Sequence, residues 1–178
     1  MRLLEMLNQQ QSKRQRDQIV CYIGSNQTRF THLVKVFVGG PYRITQRAAW
    51  PLSYCAAQHP ALARPHLRTL IDAAQQSNIH DAVKRNVVRL LQFVDIPKRL
   101  HGKAINLCLR FLTNTKEPVA VRVFAMTVLA NLAEQHPAIA NEVIPLIEKQ
   151  LPFASAGFQN RGGKVLRKLK SLPSPTDY

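Results

Sequence analysis

The sequence predicts an all-α protein built from repeated pairs of helices. Apolar residues recur at spacings of three and four through nearly every segment, as Val83, Val87, Leu90, Leu91 and Val94 do, and this spacing places them on one face of a helix. No segment of useful length alternates apolar and polar residues as a half-buried strand would. The chain also matches itself when it is shifted along its own length, which indicates an internal repeat.

Helix boundaries are marked by proline, glycine and capping residues. An Asn26-Gln27-Thr28 cap precedes a helix that Gly39-Gly40-Pro41 ends, and a second helix is predicted from Ile44 to Ala57 before His59-Pro60. Pro65 suits the first turn of a short helix, and Asp81 opens the next one with an acid at the positive helix end. Further boundaries are predicted at Asp95-Ile96-Pro97, at residues 114–118 and at His136-Pro137.

Direct comparison of the chain with itself gives the length of the repeat. A shift of 77 places residues 57–63 over residues 134–140, which share a Gln-His-Pro-Ala core, and Leu52 over Leu129. About half that shift brings Val83-Lys84 onto Val121-Arg122. A repeat of about 38 residues with two helices each follows from these matches.

This pattern resembles the HEAT/armadillo class of helical repeats. The second helix of such a repeat typically carries an early acid, then Val-Arg, a small apolar residue and Leu. The residues in those places are Asp81, Val83, Lys84, Val87 and Leu91 in one copy and Glu117, Val121, Arg122, Ala125 and Leu129 in the next. A copy at Ile44-Thr45 lacks the acid, and the last copy, around Asn160-Arg161 and Lys164, is degenerate like a capping repeat. The resemblance implies an α-α superhelix, right-handed and of about five helix pairs, that works as a binding scaffold.

Length and composition favour one folded domain. The chain has 178 residues, of which 46% are hydrophobic, so it can bury a core and is not of the disordered class. We expect a single domain over residues 1–178 with a frayed tail at 172–178. No run approaches the roughly 20 apolar residues of a membrane helix, and the first residues do not form a signal peptide. A cytoplasmic protein is therefore expected, with Cys21, Cys55 and Cys108 predicted as reduced, buried thiols.

Charge is the strongest functional signal in the sequence. Lys and Arg number 25 against 10 Asp and Glu, a formal net charge of +15, and residues 18–71 contain no acid. In the class that the chain resembles, the second helix of each pair lines the concave face, so the cations are predicted to share a groove for a polyanion, nucleic acid or an acidic protein segment. The predicted anion-binding residues are Arg43, Arg47, Lys84, Arg85, Arg89, Arg122, Arg161, Lys164 and Arg167. The alternatives are a merely solvated basic surface, or a ladder in which Lys84 and Arg122 pair with acids of adjacent repeats.

Catalytic signatures are weak. The six histidines show no metal-ligand spacing, and no glycine-rich phosphate loop is present, so neither a metal nor a cofactor is expected. Adenylosuccinate-lyase activity is not expected, because the flexible serine loop and the very long helices of that enzyme class have no counterpart here. A scaffold without catalysis is the predicted function, although the sequence does not exclude catalysis and does not fix the partner or the oligomeric state.

One enzyme class stays open, the DNA glycosylases built from HEAT-like repeats. Those proteins resemble this chain in size, charge and fold, and they use tryptophans and an aspartate in a cleft. Trp50, with Tyr54 one turn later, is a candidate for base stacking, and the nearest acids in sequence are Asp17 and Asp72. The alternative is that Trp50, followed by Pro51 in a kinked helix, packs against the next repeat. A scaffold for protein partners alone is the third hypothesis.

Overall fold

The computed structural model describes residues 2–173, and every regular element within that range is helical. The all-α prediction is confirmed. The α-helices are α1 (Arg2–Asn8), α2 (Lys13–Ile23), α3 (Gln27–Gly39), α4 (Tyr42–Gln58), α5 (Pro60–Ala63), α6 (Leu67–Gln75), α7 (Asp81–Leu91), α8 (Lys98–Thr113), α9 (Val119–Ala133), α10 (Ala138–Gln150) and α11 (Ala156–Lys170). Short 3₁₀ turns cover Arg64–His66 and Leu151–Phe153. Most of the predicted frayed tail, residues 174–178, lies outside the described residues.

Local capping chemistry explains where several helices begin and end. The Asn26 side chain accepts a hydrogen bond from the Arg29 amide at 2.9 Å, and Ser12 caps α2 in the same way. Each satisfies a backbone N–H that has no partner inside the helix. Gly24 ends α2 with a φ of 50°, which glycine adopts without strain. Pro51 lies inside α4 and does not end it.

The chain packs as two compact units, Met1–Leu100 and His101–Tyr178. In the first unit, α4 packs against α2, α3 and α7, while α3 contacts α5 and α6. Helices α2, α4 and α7 therefore form one layer of this unit, and α3 and α6 lie in the other. Phe30, Phe37 and Leu52 are fully buried between them.

In the second unit, α9 packs against α10 and α11, and the last two helices also contact each other. Gly162 on α11 allows this close approach. A Cβ at that position would lie 3.1 Å from the Ile147 side chain and 3.1 Å from that of Leu151. The glycines of the Arg161-Gly162-Gly163-Lys164 segment thus lie within a regular helix, and one of them has a packing function.

Two of the three thiols are buried as predicted, but Cys21 is exposed. The prediction of a buried Cys21 was therefore wrong. Helix α2 buries Ile19, Val20 and Ile23, and a residue two positions after Ile19 falls near the opposite face. Burial raises the pKa of the Cys55 thiol to about 12 and also raises the pKa of the Cys108 thiol.

Candidate anion-binding surfaces

The first unit contains an arginine–tyrosine cluster, defined here as Arg16, Trp50, Tyr54 and Arg89. The Cζ atom of Arg16 lies 4.0 Å from the centroid of the Tyr54 ring, and that of Arg89 lies 4.1 Å from it. Both guanidinium groups therefore contact the same ring. Arg16 also lies over the Trp50 ring at 4.7 Å. Cation–π contacts of this kind hold both arginines in place.

Arg16 is almost fully buried and has a carboxylate partner. Its Nε and Nη2 atoms donate to Oδ1 of Asp17 at 2.8 and 2.5 Å, and the residue is 6% exposed. A buried charge without a partner would be costly, and Asp17 offsets part of that cost. Of the two aspartates named in the glycosylase hypothesis, Asp17 is thus engaged by the guanidinium that covers the indole, and Asp72 lies 3.9 Å from Arg68 on its own helix.

Arg89 is positioned by a chain of hydrogen bonds between α4 and α7. Its Nη1 atom donates to the Ser53 hydroxyl at 2.9 Å. That hydroxyl lies 2.9 Å from the Asn86 side-chain oxygen, and Asn86 in turn donates to the carbonyl of Ala82. Within residues 2–173, Arg89 has no carboxylate partner. The guanidinium is therefore fixed in position but keeps its full charge.

Arg85 and Arg43 are exposed. Arg85 lies one turn before Arg89 on α7, and Arg43 lies in the first turn of α4. In the described part of the chain, neither side chain has a hydrogen bond or an ion pair. Both are free to meet an external anion, and Arg85 extends the charge of the arginine–tyrosine cluster along α7.

Two other predicted residues in this unit are held by the protein itself. Arg47 donates from Nη1 to the carbonyls of Leu7 and Asn8 at 3.1 and 2.9 Å. These are terminal carbonyls of α1, which lack partners inside the helix, so Arg47 caps α1. Lys84 lies 3.7 Å from Asp81, one turn earlier on its own helix. Neither residue is therefore placed among the proposed anion-binding residues.

Base stacking is also restricted by the geometry of the cluster. Two guanidinium groups contact the Tyr54 ring, and Trp50 contacts Arg16 and packs edge-to-face with Tyr54, with ring centroids 6.2 Å apart. These contacts connect Trp50 to α2, which precedes α4, whereas the sequence interpretation placed it against the following repeat.

The second unit contains a basic pocket of about 250 Å³ between α9 and α11. It is lined by Thr127, Ala130, Asn131, Arg161, Lys164, Val165 and Lys168. Arg161 donates to the Thr127 hydroxyl at 3.0 Å, and Lys168 donates to the Asn131 side chain at 2.9 Å. Glu134 lies 2.6 Å from the Lys168 ammonium. Among the described residues, it is the one carboxylate that contacts any of the three cations in the lining. Lys164 and the nearby Arg167 are exposed.

Arg122 does not belong to an exposed surface. It is 8% exposed, donates from Nη2 to Oε1 of Gln150 and lies 4.6 Å from the Phe158 ring centroid. Its partner is thus a neutral amide and not an acid of an adjacent repeat. Burial lowers the pKa of its guanidinium.

The residues that sequence reasoning missed are Arg16, Ser53, Asn86, Thr127 and Asn131. Each is polar or charged, and each fixes a cation or an aromatic ring. Ser53 and Asn86 interrupt otherwise apolar faces of α4 and α7, and this was the only signal that the sequence offered for them.

Several of the histidines have structural contacts. His101 and His136 lie 2.7 Å apart between ring nitrogens, and the Nδ1 atom of His80 caps α7 by accepting from the Ala82 amide. Among residues 2–173, no group of three or more His, Cys, Asp or Glu side chains could hold a metal ion.

None of the helices that the structure describes combines the length and the apolar character needed to cross a membrane. No curated protein sequence matches the chain. A family described as HEAT repeat domain matches it over residues 3–168, which covers both compact units and almost all of the helical sequence. The match and the paired helices agree with the 38-residue periodicity of the sequence, and the chain belongs to the HEAT repeat family.

Proposed function

We propose that this HEAT repeat scaffold binds a polyanion, nucleic acid in preference to an acidic protein segment, without catalysing a reaction. The observation that supports the proposal best is the state of Arg89. Tyr54 and Ser53 hold its guanidinium in place, while no carboxylate in the described part of the chain neutralises it. Such an arginine can donate to an external anion with little loss of side-chain entropy, because its conformation is already fixed.

The basic pocket supports the same proposal from the other unit. Arg161, Lys164 and Lys168 line it together, and Glu134 compensates only part of their charge. The hydroxyl of Thr127 and the amide of Asn131 orient two of these cations. Like charges gathered in this way are destabilising for the free protein and favourable once an anion is bound.

Nucleic acid is preferred because its charge is continuous. A duplex carries one negative charge per about 1.7 Å of its axis, so it can meet cations at many spacings. An acidic protein segment must carry its acids at matching positions. Since two arginines already contact the Tyr54 ring, base stacking on it competes with these contacts. The proposed binding therefore depends on phosphate contacts and is independent of base sequence.

The geometry gives less support to the DNA glycosylase alternative. Trp50 has an aspartate in its neighbourhood, but the Asp17 carboxylate accepts two hydrogen bonds from Arg16. An acid so engaged is a poor base or electrostatic stabiliser for a reacting nucleotide. Release of a damaged base from alkylated duplex DNA by the purified protein would favour this alternative.

The proposal is tested by fluorescence anisotropy at 50 mM salt with two labelled duplexes of unrelated sequence and one labelled acidic peptide of equal charge. We expect both duplexes to bind with similar Kd values and the peptide to bind more weakly. Absence of duplex binding would refute the nucleic-acid part of the proposal. Tighter binding of the peptide would make an acidic protein segment the better ligand.

A further inference from the structure

A pocket of about 480 Å³ in the second unit lies apart from the basic pocket. It is formed by the end of α8, the start of α9, the end of α10 and the turn that follows. Its lining residues are Thr113, Thr115, Arg122, Leu146, Lys149, Gln150, Phe153 and Ala154. Its volume lies within the range of small-molecule sites, roughly 300–1,000 Å³. We call it the Arg122 pocket.

Arg122 brings an uncompensated charge to this pocket. Although it is 8% exposed, its hydrogen-bond partner is the neutral amide of Gln150. Its Nε atom is buried and has no partner. No carboxylate of residues 2–173 forms an ion pair with it. A buried charge in this state costs stability, and the missing group is an anion.

The edge of the guanidinium that faces Gln150 is only half satisfied. An amide offers one oxygen, and here it satisfies Nη2 while Nε stays unpaired. A carboxylate offers two oxygens and can accept from two N–H groups of one arginine. Because the amide oxygen of Gln150 now occupies this edge, an arriving carboxylate must displace it, and the bond from Gln150 Nε2 to the Leu112 carbonyl at 3.1 Å opposes that movement.

The other lining residues define the rest of the ligand. Lys149 adds a second cation, and no acid lies among the described lining residues. Leu146 and Phe153 provide apolar surface, and the Phe153 side chain is 92% exposed. An aromatic side chain this exposed beside a pocket gains stability when an apolar group covers it.

We propose that the Arg122 pocket binds a small organic carboxylate with an apolar tail. The carboxylate pairs with Arg122 and Lys149, and the tail lies against Leu146 and Phe153. This ligand differs from a polyanion in its single charge and its apolar part. The proposal is independent of the proposed function, because none of the residues in the pocket belongs to the arginine–tyrosine cluster or the basic pocket.

The first test uses isothermal titration calorimetry of the full chain with octanoate, octanol and inorganic phosphate. We expect octanoate to bind with a Kd at least tenfold lower than that of octanol, which lacks the charge, or of phosphate, which lacks the tail. Equal binding of octanoate and octanol would overturn the proposal, and so would binding of phosphate as tight as that of octanoate.

The second test places the missing carboxylate in the protein. Gln150→Glu should pair with Arg122, raise the melting temperature of the free protein and weaken octanoate binding at least tenfold. The matched control is Gln159→Glu, which adds the same charge outside the pocket and loses a similar bond, from Nε2 to the Leu151 carbonyl. Unchanged octanoate binding by Gln150→Glu would contradict the proposal.

A variant at the exposed rim keeps the test decisive if Gln150→Glu does not fold. Phe153→Ser removes a side chain that the fold does not bury, and we expect it to weaken octanoate binding severalfold without changing the melting temperature of the free protein. Octanoate binding equal to that of the original chain would show that Phe153 does not contact the ligand and would refute the proposed position of the tail. Duplex binding should be the same in all three variants, which separates this result from that of the proposed function.

Discussion

Cys21 and Cys55 show how differently two thiols behave in one helical layer. Burial raises the pKa of Cys55 to about 12, so its reactive thiolate is scarce at pH 8, and Cys108 is fully buried. Cys21 is exposed on α2. We expect one thiol per native chain to react rapidly with Ellman's reagent at pH 8 and three to react in denaturant. Cys21→Ser should abolish the fast reaction, and a fast reaction that survives this change would show that a second thiol is accessible.

Leu129 is a buried residue whose position follows directly from the repeat register. It lies on α9 with no exposed surface, where the repeat pattern predicts the large apolar residue of the second helix. Leu129→Ala should lower the free energy of unfolding by about 2–5 kcal/mol, as other buried leucine truncations do. Urea denaturation measures the change, and a loss below about half a kcal/mol would contradict the register.

The sequence identifies the cationic residues of this protein but does not show which contacts they make in the fold. Arg47 and Arg85 look equivalent in the sequence, yet one caps α1 and the other is exposed. The difference arises from the packing of α1 against α4, a contact between segments about 40 residues apart. Arg122 matches the family pattern of an arginine after valine, and its burial depends on how α10 and α11 pack against α9. Sequence periodicity cannot supply such tertiary contacts.

At the scale of helices, the sequence was more informative. The start of α7 at Asp81 and the break at His59-Pro60 were predicted because capping and proline geometry act within a few residues. The predicted helix 44–57 is observed as Tyr42–Gln58, with Pro51 inside it. Pro51 lacks the N–H that continues the helix, but Leu52 and Ala48 are fully buried on either side, and their packing keeps the segment helical.

The contact between α10 and α11 depends on Gly162. A side chain there would have to displace Ile147 and Leu151, which lie 3.1 Å from the position of an added Cβ. Gly162→Val should therefore destabilise the protein by about 1–3 kcal/mol, since overpacking forces neighbours from their preferred positions. The melting temperature, measured by circular dichroism, reports the effect.

Gly163, the next residue of the same helix, provides a control for the effect of adding a Cβ. The nearest atom to a Cβ at this position is Nη1 of Arg167 at 4.0 Å, which is ordinary contact. Gly163→Ala should stabilise α11 by up to about 1 kcal/mol, because alanine loses less backbone entropy in a helix than glycine does. Destabilisation by both substitutions to the same extent would show that packing at Gly162 is not the cause.

The whole molecule carries a net charge of +15, and most of its surface cations would attract a polyanion weakly. The arginine–tyrosine cluster and the basic pocket, each within its own unit, differ from this background because their arginines are held by aromatic rings and hydroxyls. Diffuse attraction and localised contacts predict different responses to salt and to substitution. Each localised phosphate contact contributes about 0.9 to the slope of log K against log salt, whereas a distant exposed cation contributes little.

Paired substitutions distinguish these two cases. Arg85→Gln with Arg89→Gln should reduce the magnitude of the slope for duplex DNA by about 1.8, and Arg161→Gln with Lys164→Gln should do the same. The matched control is Lys35→Gln with Arg99→Gln, which removes two charges from exposed positions on α3 and α8. Anisotropy titrations between 50 and 200 mM salt give the slopes.

Because phosphate contacts carry no base information, the loss of slope should be equal for duplexes of unrelated sequence. Equal losses from the control pair and from the proposed pairs would show that the charge acts as a diffuse field and that the arginine–tyrosine cluster is not a binding site.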